Sequence, residues 1–168
     1  MRKILITGAL GQIGSELAVR MRGVYGDANV IISDLKAKDS HKELIENGPF
    51  EVIDVMDKNR MSEVVEKYGI NTIVNLAAIL SATGEARPDL CWSINMNGLY
   101  NVLELARERK LSVFTPSSIA VFGDSTPKDS TPQDTVMIPG TMYGVTKVAG
   151  ELLCDYYFHK FRVDTRGV

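Results

Sequence analysis

The stretch YGVTK, residues 143–147, sets Tyr143 and Lys147 four positions apart. In a helix that spacing is about one turn, so both side chains project from one face. Two meanings are open. The pair can belong to an ordinary solvated face. Alternatively the ammonium can favour the ionised phenol, which otherwise titrates at about pH 10 and is too weakly acidic to serve as a base at neutral pH. The pair alone does not choose between them; other residues must.

TGALGQIG, residues 7–14, is the second group able to do chemistry. Gly8, Gly11 and Gly14 follow a short apolar run and read G-x-x-G-x-x-G, a variant of the dinucleotide-binding turn. One glycine makes the turn, one admits a pyrophosphate to the backbone, and one lets a helix sit close to a sheet. The N–H groups opening the helix, at Gln12, Ile13 and Gly14, then face the phosphates. Asp34 comes 20 residues after Gly14. A carboxylate there accepts hydrogen bonds from ribose hydroxyls and repels a 2′-phosphate, which favours NAD; the other reading is an aspartate capping a turn. Leu35 and Lys36 flank the same ribose, and Lys36 with Lys38 softens the preference, since a lysine can meet a phosphate. Asp54 and Val55 close a third apolar run, where Asp54 can face an adenine amino group. Asn75-Leu76-Ala77-Ala78 ends a fourth run in small residues that leave room for a flat cofactor at the strand ends.

The elements that must position these residues alternate along the chain. Strands are expected at 3–7, 29–34, 50–55, 71–78 and 111–118, with a sixth begun at 162–168. Helices are expected at 13–26, with Ile13, Leu17 and Met21 on one face, at 61–69, at 88–110 and at 142–161. Continuous apolar strands separated by amphipathic helices imply a parallel sheet covered on both faces, hence a doubly wound α/β Rossmann fold. The segment 117–141, rich in Ser, Thr, Pro and Asp, is too long for a mere connector. At 168 residues, one domain is expected. A formal net charge of −2 without a Lys/Arg cluster excludes an electrostatic case for nucleic acid or a membrane surface. No apolar run is long enough to span a bilayer. The opening MRKILITGALGQIG is broken by glycines and reads as a strand, not a signal peptide. Cys91 and Cys154 form no disulfide framework and have no metal-ligand spacing; both read as reduced core thiols, and no metal is expected. A cytoplasmic enzyme or binding domain fits this composition.

Taken in order, TGALGQIG, NLAA, PSSIAVFG and YGVTK resemble the extended short-chain dehydrogenase/reductase superfamily, in its NAD-dependent epimerase/dehydratase-like branch. Within that branch AAILSATGEARPDLCWSINMNGLYNVLELA, TMYGVTK and VDTRGV are similar to short-chain-type L-threonine 3-dehydrogenases. The resemblance implies NAD as cofactor, Tyr143 as catalytic base, Lys147 as its partner and holder of the nicotinamide ribose, and Ser118, beside Ser117, as the hydroxyl bonding the reacting oxygen. It implies Asn97 or Asn95 as a bridge between cofactor and helix, the alternative being an asparagine that satisfies its own helix. Ser81, in the loop expected after the fourth strand, and Thr141, before the Tyr, can touch substrate or simply face water. It further implies oxidation of the 3-hydroxyl of L-threonine to 2-amino-3-oxobutanoate in threonine catabolism, and a homodimer through helices 88–110 and 142–161. The resembled enzymes complete their substrate pocket with a C-terminal part that these residues do not include, so 1–168 is expected to be the NAD-binding domain carrying Ser118, Tyr143 and Lys147. Two alternatives remain. A nucleotide-sugar 4-epimerase or dehydratase would use the same three residues on a sugar hydroxyl and turn over a UDP-sugar. A non-catalytic dinucleotide-binding regulator would keep the glycines without needing the Tyr/Lys pair.

Overall fold

The computed structural model describes residues 2–168. Strand β1, Ile4–Thr7, is buried at every position, as a strand with both faces covered must be. Its residues divide by the two-residue period of a strand. Leu5 packs with Ile31, Ile73 and Val113 on one face of the sheet, and Ile4 and Ile6 pack with Val30, Ile32 and Val74 on the other. The sheet has six strands in the order β3-β2-β1-β4-β5-β6. They are β2 Val30–Asp34, β3 Phe50–Val52, β4 Thr72–Asn75, β5 Ser112–Phe114 and β6 Asp164–Arg166. All pairings are parallel, with Ile4 opposite both Val30 and Thr72. The chain starts in the middle and winds outward both ways, so the order reverses between β1 and β4. The crevice at that reversal is where open α/β sheets hold ligands.

Helix α1, Gln12–Tyr25, buries Gly14, Ala18 and Arg22. Leu17 and Met21 pack beside them, as their spacing predicts, but Ile13 is 66% exposed because it opens the helix beyond the strand ends. Arg22 is a buried charged residue. It donates to the carbonyls of Val30 and Pro49, at 3.4 and 3.2 Å, and to that of Leu44, tying α1 to the chain around β2 and β3. A short helix α2, Lys42–Glu46, precedes β3. Helix α3, Lys58–Tyr68, begins a turn earlier than its apolar pattern suggests, because the Asp57 carboxylate accepts from the Arg60 N–H, and it ends on Gly69 at φ +64°.

Three corrections bear on the site. β3 stops at Val52, so Asp54 and Val55 lie beyond the strand. Ser81 is not in a loop: it opens a short helix α4, Ser81–Ala86. The expected long helix 88–110 is α5, Pro88–Trp92, followed by a widened π turn, Ser93–Asn97, and then α6, Gly98–Arg109. π turns within helices are often functional. Helix α7, Met142–Phe161, matches its expected bounds. Cys91 and Cys154 are free and buried in α5 and α7, and burial pushes both thiols up, Cys154 to about 11. Among the described residues no helix is long and apolar enough to cross a membrane, and no cluster of His, Cys, Asp and Glu could hold a metal ion.

Candidate active site

The glycine turn is shaped by contacts that a side chain would destroy. Gly8 has φ +67°, and a Cβ there would lie 2.8 Å from the Ala77 nitrogen after β4. A Cβ at Gly14 would stand 2.5 Å from the Gly8 carbonyl oxygen, so α1 sits directly on the turn. Gly11 caps α1 without a side-chain hydrogen bond, and no acidic residue occupies the first turn. The N–H groups at the exposed start of α1, from Gln12 onward, and the positive end of the helix dipole are thereby left for an anion. The cradle fits a dinucleotide pyrophosphate. Ala77 and Ala78 line the cavity beside it, while Leu76 packs into the core and donates its N–H to Thr7.

Asp34 ends β2 against this turn. Its Oδ2 accepts from the Leu10 N–H at 3.0 Å and its Oδ1 from the Leu35 N–H at 2.9 Å. Each carboxylate oxygen has a second acceptor position, so a ribose hydroxyl can still be met. Lys38 turns inward. Its Nζ donates to the Leu10 carbonyl at 3.0 Å and lies 3.8 Å from Asp34, whereas Leu35 and Lys36 are exposed. Leu10 is therefore held at both its N–H and its carbonyl, and Lys38 is occupied by the turn instead of waiting for a 2′-phosphate. Asp54 is an exposed turn residue whose Oδ1 accepts from the Met56 N–H at 2.9 Å. Val55 is buried at 4% exposure against Gly98, so its side chain serves the core.

Two of the catalytic candidates, Ser118 and Lys147, line a cavity of about 850 Å³ at the other side of the same crevice, and Tyr143 stands outside its lining. Ser118 follows β5 and caps a single 3₁₀ turn, Ile119–Val121, its Oγ accepting from the Ala120 N–H at 3.2 Å. Lys147 lines the cavity, donates to the Pro116 carbonyl at 2.8 Å, and lies 5.5 Å from the centroid of the Tyr143 ring. Burial draws the Lys147 ammonium below the ordinary lysine range, and the Cys91 thiol and Glu151 carboxylate draw it partly back. Tyr143 stands one turn earlier on α7, half-buried. α7 is fixed at its start by two capping groups. The Thr141 Oγ1 accepts from the Gly144 N–H at 3.0 Å, and Glu85 accepts from the Met142 N–H at 2.7 Å. Thr141 is thus a helix cap, and Ser81 is a half-buried residue at the head of α4.

Asn95, not Asn97, faces this cavity. Its side-chain amide accepts from the Ile79 N–H at 2.7 Å, donates to the Ile79 carbonyl at 3.1 Å, and also donates to Thr146 on α7 at 3.1 Å. One asparagine on the π turn thus joins the β4 strand end to the tyrosine helix, while Asn97 is exposed outside the lining. Two residues were missed in the sequence reading. Gly144 is needed because a Cβ would lie 2.2 Å from the Ala120 carbonyl oxygen, so it lets the Ser118 turn close on α7. Glu151 lines the cavity and accepts a short hydrogen bond from the Ser117 hydroxyl. Gly144 follows Tyr143 directly and Glu151 lies one turn beyond Lys147, which was the only signal available.

Comparison with known proteins agrees with this geometry. Residues 4–168 match the model of the NAD dependent epimerase/dehydratase family. An uncharacterized epimerase/dehydratase of Staphylococcus saprophyticus is 58% identical over 168 residues, which is 100% of this chain and 52% of that protein. A crystal structure of L-threonine dehydrogenase from Clostridium difficile superposes with a TM-score of 0.97 at 58% identity, over 100% of this chain and 52% of that one. A GalE-like L-threonine dehydrogenase from Cupriavidus necator, in its holo form, gives a TM-score of 0.94 at 49% identity, over 99% of this chain and 54% of that one. The chain therefore spans about half the length of these relatives. It belongs to the NAD dependent epimerase/dehydratase family, an extended short-chain dehydrogenase/reductase lineage with NAD as cofactor.

Proposed function

We propose that this member of the family is the cofactor-binding and catalytic part of an NAD-dependent oxidoreductase that converts L-threonine to 2-amino-3-oxobutanoate. The observation that carries the reading is that Ser118 and Lys147 line one cavity with Ala77 and Ala78, which follow β4 next to the glycine turn, while the Tyr143 ring centroid lies 5.5 Å from the Lys147 ammonium. The likeness to threonine dehydrogenases at up to 58% identity supports the substrate.

NAD, when bound, supplies the acceptor for the hydrogen leaving carbon. The chain's own residues manage the proton and the charge. Tyr143 takes the proton of the 3-hydroxyl, and the Lys147 ammonium on the same helix face favours its phenolate. Ser118 donates a hydrogen bond to the reacting oxygen as charge develops on it. The glycine turn holds the pyrophosphate and Asp34 the adenosine ribose, so the reacting carbon is presented at the Ser118 side of the crevice. Partners fit the same picture: Trp92, Tyr100, Leu152 and Tyr156, on α5–α6 and α7, are each exposed by about half or more, and we assign these helices to a homodimer contact.

The test measures NADH formation by the full-length protein with L-threonine, and separately the conversion of UDP-glucose to its 4-epimer, which is redox-neutral and makes no net NADH. Turnover of threonine alone supports the reading. Turnover of the UDP-sugar alone replaces it with an epimerase, and turnover of neither replaces it with a dinucleotide-binding regulator.

A further inference from the structure

Tyr143, Lys147 and Glu151 follow one another at four-residue steps along α7 and so share one face. The first two have roles in the proposed reaction; Glu151 has none yet. Its carboxylate is half-buried, lines the cavity and takes a short hydrogen bond from the Ser117 hydroxyl. Ser117 is the middle residue of Pro116-Ser117-Ser118, in the segment that follows β5. On one side of it, the Pro116 carbonyl accepts the Lys147 ammonium at 2.8 Å; on the other stands Ser118. The backbone of Ser117 is also held, its N–H donating to the Val168 carbonyl at 2.7 Å.

The charges around Lys147 can be counted from the elements packed on α7. α4 brings Glu85, which is used on the Met142 N–H; α5 brings the Cys91 thiol. α6 brings Glu104, which is bound to Arg107 and Tyr157, and β6 brings the Asp164–Arg166 pair. α7 itself adds Tyr143, Glu151 and, one turn on, Asp155. Of these, Cys91 and Glu151 support the charged form of Lys147 against burial. The Cys91 thiol is itself pushed up by burial, away from the thiolate.

We propose that Glu151 is a positioning residue of the reaction: through Ser117 it sets the strand end that presents Ser118 and anchors Lys147, and it is the counter-charge of Lys147. The inference rests on the proposed oxidoreductase reading, because that chemistry needs Lys147 as an ammonium beside an ionising tyrosine and a dinucleotide-binding regulator does not. A carboxylate placed closer to Tyr143 would oppose the phenolate. Glu151 lies two turns away on the far side of Lys147, where it supports the ammonium with less cost to the phenolate.

The experiment uses the full-length protein with its lysines labelled at Cε, the Lys147 signal being assigned by its loss in Lys147→Arg. Carbon NMR then follows Lys147 through a pH titration in the native protein and in Glu151→Gln, which keeps an acceptor for Ser117 and removes the charge. The Lys147 midpoint is expected to fall by about one pH unit in Glu151→Gln. In Ser117→Ala it should stay within a few tenths, because the charge is still there. The alkaline limb of the kcat profile with L-threonine should move to lower pH in Glu151→Gln only, while kcat at neutral pH falls about tenfold in Ser117→Ala, where the positioning bond is lost, and less in Glu151→Gln, which keeps it. A Lys147 midpoint that does not move in Glu151→Gln overturns the proposal. Because the titration needs no turnover, a protein inactive on threonine refutes the substrate reading and leaves this result standing by itself.

Discussion

The two sides of the crevice are built differently. On the β1–β2 side the binding surface is backbone: Gly8 and Gly14, where a Cβ would stand within 3 Å of neighbouring main chain, a helix start, and an aspartate and a lysine that clamp Leu10 from its two polar ends. On the β5–β6 side the surface is side chain. Ser118, in the segment after the three-residue strand β5, and Lys147 and Glu151, on α7, line a wide cavity. A pyrophosphate is the same in every dinucleotide, so a fixed cradle of N–H groups serves it with little need for adjustment. A reacting alcohol must be aligned on one atom, and that needs side chains whose charge and position are tuned by what surrounds them. The first side is a mould; the second is an arrangement of separately supported groups.

That contrast can be broken first at the hydroxyl side. Tyr143→Phe removes the proton acceptor and keeps the ring, so turnover should drop 10²–10⁴-fold, the usual contribution of general-base catalysis, with NAD affinity unchanged within a few-fold. Retention of more than about a tenth of the rate would refute the role given to Tyr143. On the mould side, Gly8→Ala should do the reverse. An alanine at φ +67° costs about 1–2 kcal/mol, and its Cβ meets the Ala77 backbone. The turn must shift, and calorimetry should show NAD binding weakened at least about tenfold, which is 1.4 kcal/mol. Wild-type affinity would mean that the turn is looser than the contacts require.

Asp34→Ser sharpens the comparison at an intermediate level. It removes a ribose acceptor and the repulsion of a 2′-phosphate, so the preference for NAD over NADP should narrow by about tenfold or more. An unchanged ratio would leave Asp34 with only its bonds to Leu10 and Leu35.

The smallest effect expected lies away from both surfaces, at Glu51 on edge strand β3. Burial opposes its charge, but hydrogen bonds from Lys67 and Tyr68 and the charges of Lys67 and Arg60 outweigh it and hold the carboxyl below the usual range. A carboxylate with a depressed folded pKa adds stability above its unfolded value, about 4.3, and loses it as pH falls through the folded one. Glu51→Gln should therefore cost about 1–2 kcal/mol in urea unfolding at neutral pH, with the gap closing below about pH 4. An equal gap at both pH values would show that the carboxylate's charge contributes nothing.

The fold was legible because its signals repeat locally. The apolar runs around Leu5, Ile31 and Ile73 and the helical spacing on α7 recur every two or every three to four residues, and each window carries its own answer. The bounds failed where one contact moved them: the Asp57 cap lengthened α3, and the π turn divided the expected helix 88–110. Helix α4 carries no periodic apolar stripe. Its Gly84 would meet the Cys91 sulfur at 2.9 Å if it bore a Cβ, so it packs tightly against α5, beside Tyr143. Asn95 and Asn97 look alike as letters, and only the widened turn assigns one of them to Ile79 and Thr146.

The sequence by itself determined the doubly wound order of elements, the glycine turn and the Tyr143–Lys147 register, because each is written within a few consecutive residues or in a local period. Tertiary structure alone decided that Lys38 turns inward to Leu10, that Gly144 admits the Ala120 carbonyl, that Val55 belongs to the core, and that Glu151 meets Ser117. Each of these joins segments tens of residues apart. Their meeting is set by how β1, β4, β5 and α7 stack around the crevice, and no pattern within one segment records the approach of another.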